Sequence, residues 1–272
     1  MAAMTGLSVD EIRRQARERR EQIERGELCE SCGLTDCRRD VQRRSVMMGE
    51  KRGYVVECCS NKARELQGAE NLRQQGIRAD MVAGLQRLAG IPERFADATF
   101  ANFKITMTNG TAVNSAIALA THFEDAKKTG RGLVLVGPVG VGKTHLIVAI
   151  LKKLIAKGTS ARYIYAPDLL GLLRDRSRNP EGASLLDITF REICSESVIA
   201  IDDIGVDRDT EWTVAQYTRI IDGRYRTKKI TLLATNLGME DLEAVIGPRS
   251  MSRLLESNDV IQMSGTDRRL NP

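Results

Sequence analysis

Gly137-Pro138-Val139-Gly140-Val141-Gly142-Lys143-Thr144 is the stretch whose reading decides the fold. An aliphatic run, Leu133-Val134-Leu135-Val136, precedes it, and His145 to Ile155 follows with the polar breaks of a helix. Strand, glycine loop and helix in that order form a phosphate cradle. The glycines let backbone N–H groups converge on an anion, and the helix adds its unpaired first-turn donors and the positive end of its dipole. Gly137, Pro138, Gly140, Val141, Gly142, Lys143, Thr144 and His145 are therefore expected to bind a nucleotide. Lys143 would reach the β- and γ-phosphates, and the Thr144 hydroxyl is the right size and hardness to hold Mg²⁺. A glycine-rich turn without a ligand would not need this flanking context.

Two later stretches fit the same site. Val198-Ile-Ala-Ile201-Asp202-Asp203 has the pattern of a buried parallel strand that delivers carboxylates at its C-terminal end. Asp202 is expected to bind Mg²⁺, and Asp203 to orient and activate the attacking water. Lys229 to Asn236 is another strand, and Asn236 or Thr235 at its tip would meet the γ-phosphate or that water. Asp259 to Met263 is a last strand. Helices are expected over Thr111–Lys128, from Ser184, and over Glu211–Thr227. Ala161–Tyr165 is a strand stopped by Pro167, with Asp168 as a cap. Arg174 to Gly182 reads as a basic exposed loop, a candidate for contact with DNA. A short helix starts near Arg249 after a Gly-Pro break and carries Arg253. The alternation of strands and helices makes an α/β protein with a parallel sheet wrapped by helices.

Ahead of the glycine loop, Phe95, Phe100 and Phe103 are three of the chain's 5 phenylalanines. They would pack on the core and shelter an adenine ring, or act as a hydrophobic clamp alone. Further upstream, Asp10 to Gly26 is built from helix formers of alternating sign, the pattern of a solvated helix laced with i,i+4 pairs. Asn61 to Leu88 is rich in Arg, Glu, Gln and Ala but carries Gly68, Gly76 and Gly84, so an interrupted helical connector is expected, with a boundary near Gly90.

Of the 6 cysteines, all but Cys194 lie between Cys29 and Cys59. Cys29 and Cys32 have knuckle spacing, and Cys37, Cys58 and Cys59 offer the remaining thiols. Four of these five would close a structural Zn²⁺ site, and free or redox-active thiols are the competing account. At 272 residues the chain has room for one large domain and a small one. Its net charge of +5 permits a nucleic-acid partner without arguing for one. No apolar run approaches a membrane span and the start lacks a signal pattern, so no membrane association and a cytoplasmic location are expected.

From Ile91 to about Arg269 the chain resembles the AAA+ ATPases of the bacterial and phage helicase-loader type (DnaC- and DnaI-like), with the IstB-like transposition helpers as close relatives. The resemblance rests on Gly90-Ile-Pro-Glu-Arg-Phe95 with Thr99-Phe100 and Asn102-Phe103, and on the glycine loop. It rests also on Asp202-Asp203-Ile-Gly205 with Thr210-Glu-Trp212, on Arg224-Tyr225, on Ala234-Thr-Asn236, and on Arg249 with Ser252-Arg253-Leu254. It implies a five-stranded core in strand order 5-1-4-3-2, no long C-terminal lid, and head-to-tail homo-oligomers on single-stranded DNA. In such an oligomer Arg253, with Arg249 as rival, would reach the neighbouring subunit's ATP.

The cysteine segment is similar to the loaders' zinc-binding, helicase-docking region, although adjacent Cys58-Cys59 departs from a spaced pair. The implied division is 1–66 zinc-binding and docking, 67–90 linker, and 91–272 ATPase. The implied function is loading of a DnaB-type hexameric helicase during replication initiation. A transposition helper, a small-molecule kinase and a non-hydrolysing adaptor are the alternatives.

Overall fold

The computed structural model describes residues 43–48, 51–56, 60–178, 182–205 and 210–267, together with Arg14, Gln15, Arg17, Glu18, Glu21 and Gln22. The chain divides into two compact units, Met1–Ile77 and Arg78–Pro272.

In the first unit the six positions from Arg14 to Gln22 are helical, with Arg14–Glu18 and Arg17–Glu21 facing at i,i+4 (4.0 and 3.4 Å) as the alternating signs predict. Arg43–Met48 (β1) and Lys51–Val56 (β2) form an antiparallel hairpin, an element additional to the sequence expectations. The expected zinc ligands Cys29, Cys32, Cys37, Cys58 and Cys59 lie outside the described residues. Ser60–Leu88 (α1) is one unbroken helix, which corrects the expected interruptions. Nothing lies within 4 Å of a Cβ built on Gly68, Gly76 or Gly84. Each glycine thus costs only its propensity, about 1 kcal/mol relative to alanine.

The second unit continues with Gly110–Thr121 (α2), Phe123–Thr129 (α3), Gly132–Val136 (β3), Lys143–Ala156 (α4), Ala161–Tyr165 (β4), Ala166–Arg178 (α5) and Gly182–Ser195 (α6). Val198–Ile204 (β5), Glu211–Arg226 (α7), Ile230–Thr235 (β6), Met239–Ile246 (α8), Pro248–Ser257 (α9) and Asn258–Gln262 (β7) complete it. The strands pair in parallel in the order β4-β5-β6-β3-β7. Counted from β3 as the first, that is 5-1-4-3-2, the order the resemblance implied. Side chains alternate across the sheet. Leu133 and Leu135 join the layer with Ile147, Ile150 and Ala116, while Val134 and Val136 join Leu170, Ile220 and Leu254 on the other face. Among the described residues no helix follows β7.

Three boundaries differ from expectation. The helix predicted over Thr111–Lys128 breaks at His122, beyond which Phe123 is buried in the core. Helix α5 begins directly after β4, so Asp168 sits in its first turn instead of capping it. The basic "loop" from Arg174 to Arg178 is the last part of α5. There Arg174 lies 5.2 Å from the centroid of the Trp212 ring and Arg176 donates to the Thr189 hydroxyl. Two of those three arginines are therefore engaged within the fold.

Arg224 on α7 has a structural task. Its fully buried guanidinium donates to Thr231 Oγ1 (3.1 Å), Ile193 O (2.7 Å), Glu196 O (3.0 Å) and Ile230 O (2.6 Å), and burial pushes its pKa down to about 10. Those acceptors belong to α6, β6 and the approach to β5, so one side chain ties three segments together. Arg224→Met would strand them without donors. We expect it to lower the free energy of unfolding by about 2–5 kcal/mol, read from urea denaturation; a loss within 0.5 kcal/mol, the range of an ordinary surface change, would contradict this role.

Candidate nucleotide site

Strand β3, buried along its whole length, runs straight into the glycine loop, and α4 starts at Lys143. Tight backbone approach fixes two of the glycines. A Cβ on Gly137 would run into the carbonyl oxygen of Met263, and one on Gly140, whose φ is +81°, would strike Asp267. Val141 turns its side chain into the core (1% exposed), so only its backbone is available to a phosphate.

The Lys143 ammonium folds back over the loop, donating to Gly137 O (2.7 Å), Pro138 O (2.8 Å) and Asn236 Oδ1 (2.6 Å). Asn236 in turn donates to Asp203 Oδ1 (3.3 Å), so residues from α4, β5 and the end of β6 close into one polar chain. Thr235, the alternative to Asn236, is fully buried and its hydroxyl is tied to Ile204 O (2.8 Å) and the Leu237 N–H (3.1 Å). Of the two, Asn236 is the one whose side chain joins Lys143 and Asp203.

Asp202 and Asp203 lie side by side with different surroundings. Asp202 is buried, and desolvation holds its carboxyl above the usual carboxylate range, opposed by hydrogen bonds from Tyr163 and Thr144. Burial thus disfavours its charge, which a divalent cation would compensate. With the Thr144 hydroxyl beside that carboxylate, the donor set fits hard, oxygen-preferring Mg²⁺. Asp203 has φ +55° where the β5–β6 register shifts between Ile201 and Ile204. That left-handed backbone, costing about 1–2 kcal/mol for an L-residue, leads Asp203 out of the strand and toward Asn236.

Tyr163 was not singled out in the sequence. Its hydroxyl donates to Asp202 Oδ2 (2.7 Å) from the neighbouring strand, and burial together with the Asp202 charge pushes its own pKa up. An aromatic in a short strand carries no local signal of such a role. His145 is placed by a ring nitrogen 2.8 Å from Thr99 O and by an edge contact with Phe103 at 5.1 Å, so the upstream segment is pinned to α4. Arg94, Phe95, Phe103, Val139 and His145 border a cleft of about 340 Å³ over the loop, the size of a small-ligand pocket. A larger cleft of about 690 Å³ adjoins it past Thr144, Asp202 and Asp203.

The structure does not bring Arg249 or Arg253 to this cleft. Both Arg249, at 3.2 Å, and Arg253 pair with Asp222 of α7. Arg253 also lies 5.3 Å from the centroid of the Tyr225 ring, and Glu256, the neighbour it could have paired with on its own helix, accepts from the Tyr225 hydroxyl instead (2.8 Å).

A family model, that of the IstB-like ATP binding protein, matches residues 71–271. The chain belongs to this family of IstB-like ATP binding proteins. It is 25% identical over 172 residues to the replicative helicase loader DnaC of Escherichia coli (strain K12), covering 63% of this chain and 69% of that one. The crystal structure of the DnaC helicase loader superposes with a TM-score of 0.57 and 25% identity, over 64% of this chain and 100% of that chain. The DnaI structure gives 0.57 at 23% identity, over 68% and 99%, a likeness of fold. This family member is thus homologous to helicase loaders and has an AAA+ type core. No helix among its described residues is long and apolar enough to cross a membrane.

Proposed function

We propose that this chain is an ATP-dependent loader that grips a hexameric replicative helicase of the DnaB type and places it on single-stranded DNA during replication initiation. The observation that supports this most is the Lys143–Asn236–Asp203 chain beside the Thr144–Asp202 pair, in a protein homologous to a replicative helicase loader. Asp203 and Asn236 are the groups that orient a water molecule for attack on the γ-phosphorus, and hydrolysis then releases ADP and phosphate. Thr144 and Asp202 would hold Mg²⁺, which when bound neutralises charge on the phosphate oxygens. Lys143 leaves its carbonyl partners for the phosphates as nucleotide enters. Arg253, with Arg249 beside it, acts on the ATP of the next subunit in a homo-oligomer assembled on DNA.

Residues 91–272 form the ATPase, 67–90 the linker and 1–66 the helicase-docking region, where four thiolates among Cys29, Cys32, Cys37, Cys58 and Cys59 would hold one Zn²⁺. The donor set suits a closed structural site. A transposition helper is the second reading, favoured by the IstB-like description of the matching family and by a match that starts at residue 71, after the cysteines.

Capture on the full chain separates the two. The helicase should be retained with bound zinc, and both lost in Cys29→Ser or Cys32→Ser, since zinc contributes on the order of 10 kcal/mol to folding of such regions. Retention of a transposase in place of the helicase would move the assignment to the second reading, and protein free of zinc when purified without chelator would remove the metal from it.

A further inference from the structure

Helices α7 and α9 are joined by a side-chain cluster that the nucleotide site does not include. Arg249 and Arg253 stand four residues apart on α9 and so project from one face, close enough for their charges to repel. Asp222 of α7 lies between them, its side chain only 11% exposed, taking Arg249 on Oδ2 and Arg253 on Oδ1. Arg253 is further set against the Tyr225 ring, and the Tyr225 hydroxyl is fixed by Glu256 one turn along α9. The pairs differ in exposure. The Arg253 side chain is 20% exposed and the Arg249 side chain 69%, so the carboxylate anchors one guanidinium and leaves the other mostly in solvent.

We propose that Asp222 is a positioning residue for hydrolysis in the neighbouring subunit. It holds the Arg253 guanidinium in one orientation, with Arg249 beside it, so that Arg253 arrives at the next subunit's γ-phosphate preformed. This rests on the reading that α9 supplies the trans-acting arginine. A flexible guanidinium loses side-chain entropy when it is ordered at the phosphate, and a carboxylate that has already fixed it removes much of that loss from the transition state. Helix α7 follows β5, the strand carrying Asp202 and Asp203, so the cradle for the outgoing arginines and the acids of the protomer's own site belong to consecutive elements.

Asp222→Asn keeps the shape and removes the charge. It is expected to bind ATP as the unaltered chain does and to lower kcat about 10- to 100-fold, the scale on which outer partners of functional groups act, while Asp222→Glu recovers most of the rate. Should Asp222→Asn fail to fold, Asp222→Ser, which leaves room for water between the guanidinium groups, carries the same test.

The decisive readout is mixing. Asp222→Asn has an intact pocket and a disordered arginine face, so Lys143→Ala protein should restore turnover, and the Arg249→Ala/Arg253→Ala double variant should not. Unchanged turnover in Asp222→Asn would overturn the proposal, as would a defect that the double-arginine variant rescues and Lys143→Ala does not. The underlying reading fails separately, and takes the proposal with it, if the double-arginine variant itself turns over normally. If that variant is inactive in trans while Asp222→Asn is normal, the role of Asp222 alone is lost.

Discussion

Lys143→Ala is expected to weaken ATP binding about 10- to 100-fold, the loss of a hydrogen bond to a charged group. Asp203→Asn should bind ATP unchanged and lose turnover about 10²- to 10⁴-fold, the range of a positioned general base. The two differ because Lys143 makes a ground-state phosphate contact whereas Asp203 acts on the water. The ammonium is held by Gly137 O, Pro138 O and Asn236 Oδ1, so nucleotide must exchange those contacts for phosphate oxygens. Alanine removes both sets. Equilibrium binding of a fluorescent ATP analogue, paired with steady-state phosphate release, measures the two effects. Equal loss of affinity in both variants would contradict the division of roles.

Arg253→Ala is expected to have the largest catalytic effect, about 10³- to 10⁵-fold in kcat when the finger is fully engaged, with ATP affinity retained. Arg249→Ala should cost less. Arg253 is mostly buried between Asp222 and the Tyr225 ring and is therefore preorganised, while the Arg249 side chain is 69% exposed and hydrated. Mixing Arg253→Ala with Lys143→Ala should restore part of the activity, since one mixed interface pairs an intact pocket with an intact arginine. No recovery at any ratio, with mixed assembly verified by cross-linking, would reject action in trans.

The sheet and most of the candidate site are legible because their signals are local. The glycine loop sits between its own strand and helix, Asp202-Asp203 ends an aliphatic run, and Asn236 ends another, so periodicity and one punctuating residue were enough. The strand order came from the resemblance, since nothing in the periodicity of β3 or β6 says that they pair. What escaped depends on contacts between distant segments. Tyr163 meets Asp202 from the neighbouring strand, 39 residues earlier, and Asp222 meets Arg249 and Arg253 across a helix pair. Glu256, three residues along the same helix, is instead the acceptor of the Tyr225 hydroxyl. The stretch from Arg174 to Gly182 reads as a loop because it is polar, but Leu169, Leu170 and Leu173 are buried and carry α5 through to Arg178. In α1 the three glycines suggested breaks by propensity alone, and the helix runs on through them.

The most direct test of the central claim is transfer of a DnaB-type hexamer onto circular single-stranded DNA coated with single-strand-binding protein, counted as helicase retained on the circle. With the unaltered chain and ATP, retention should rise well above that of helicase alone, and Lys143→Ala should return it to that background. Equal retention with and without the chain, from helicase active on uncoated DNA, would contradict the account.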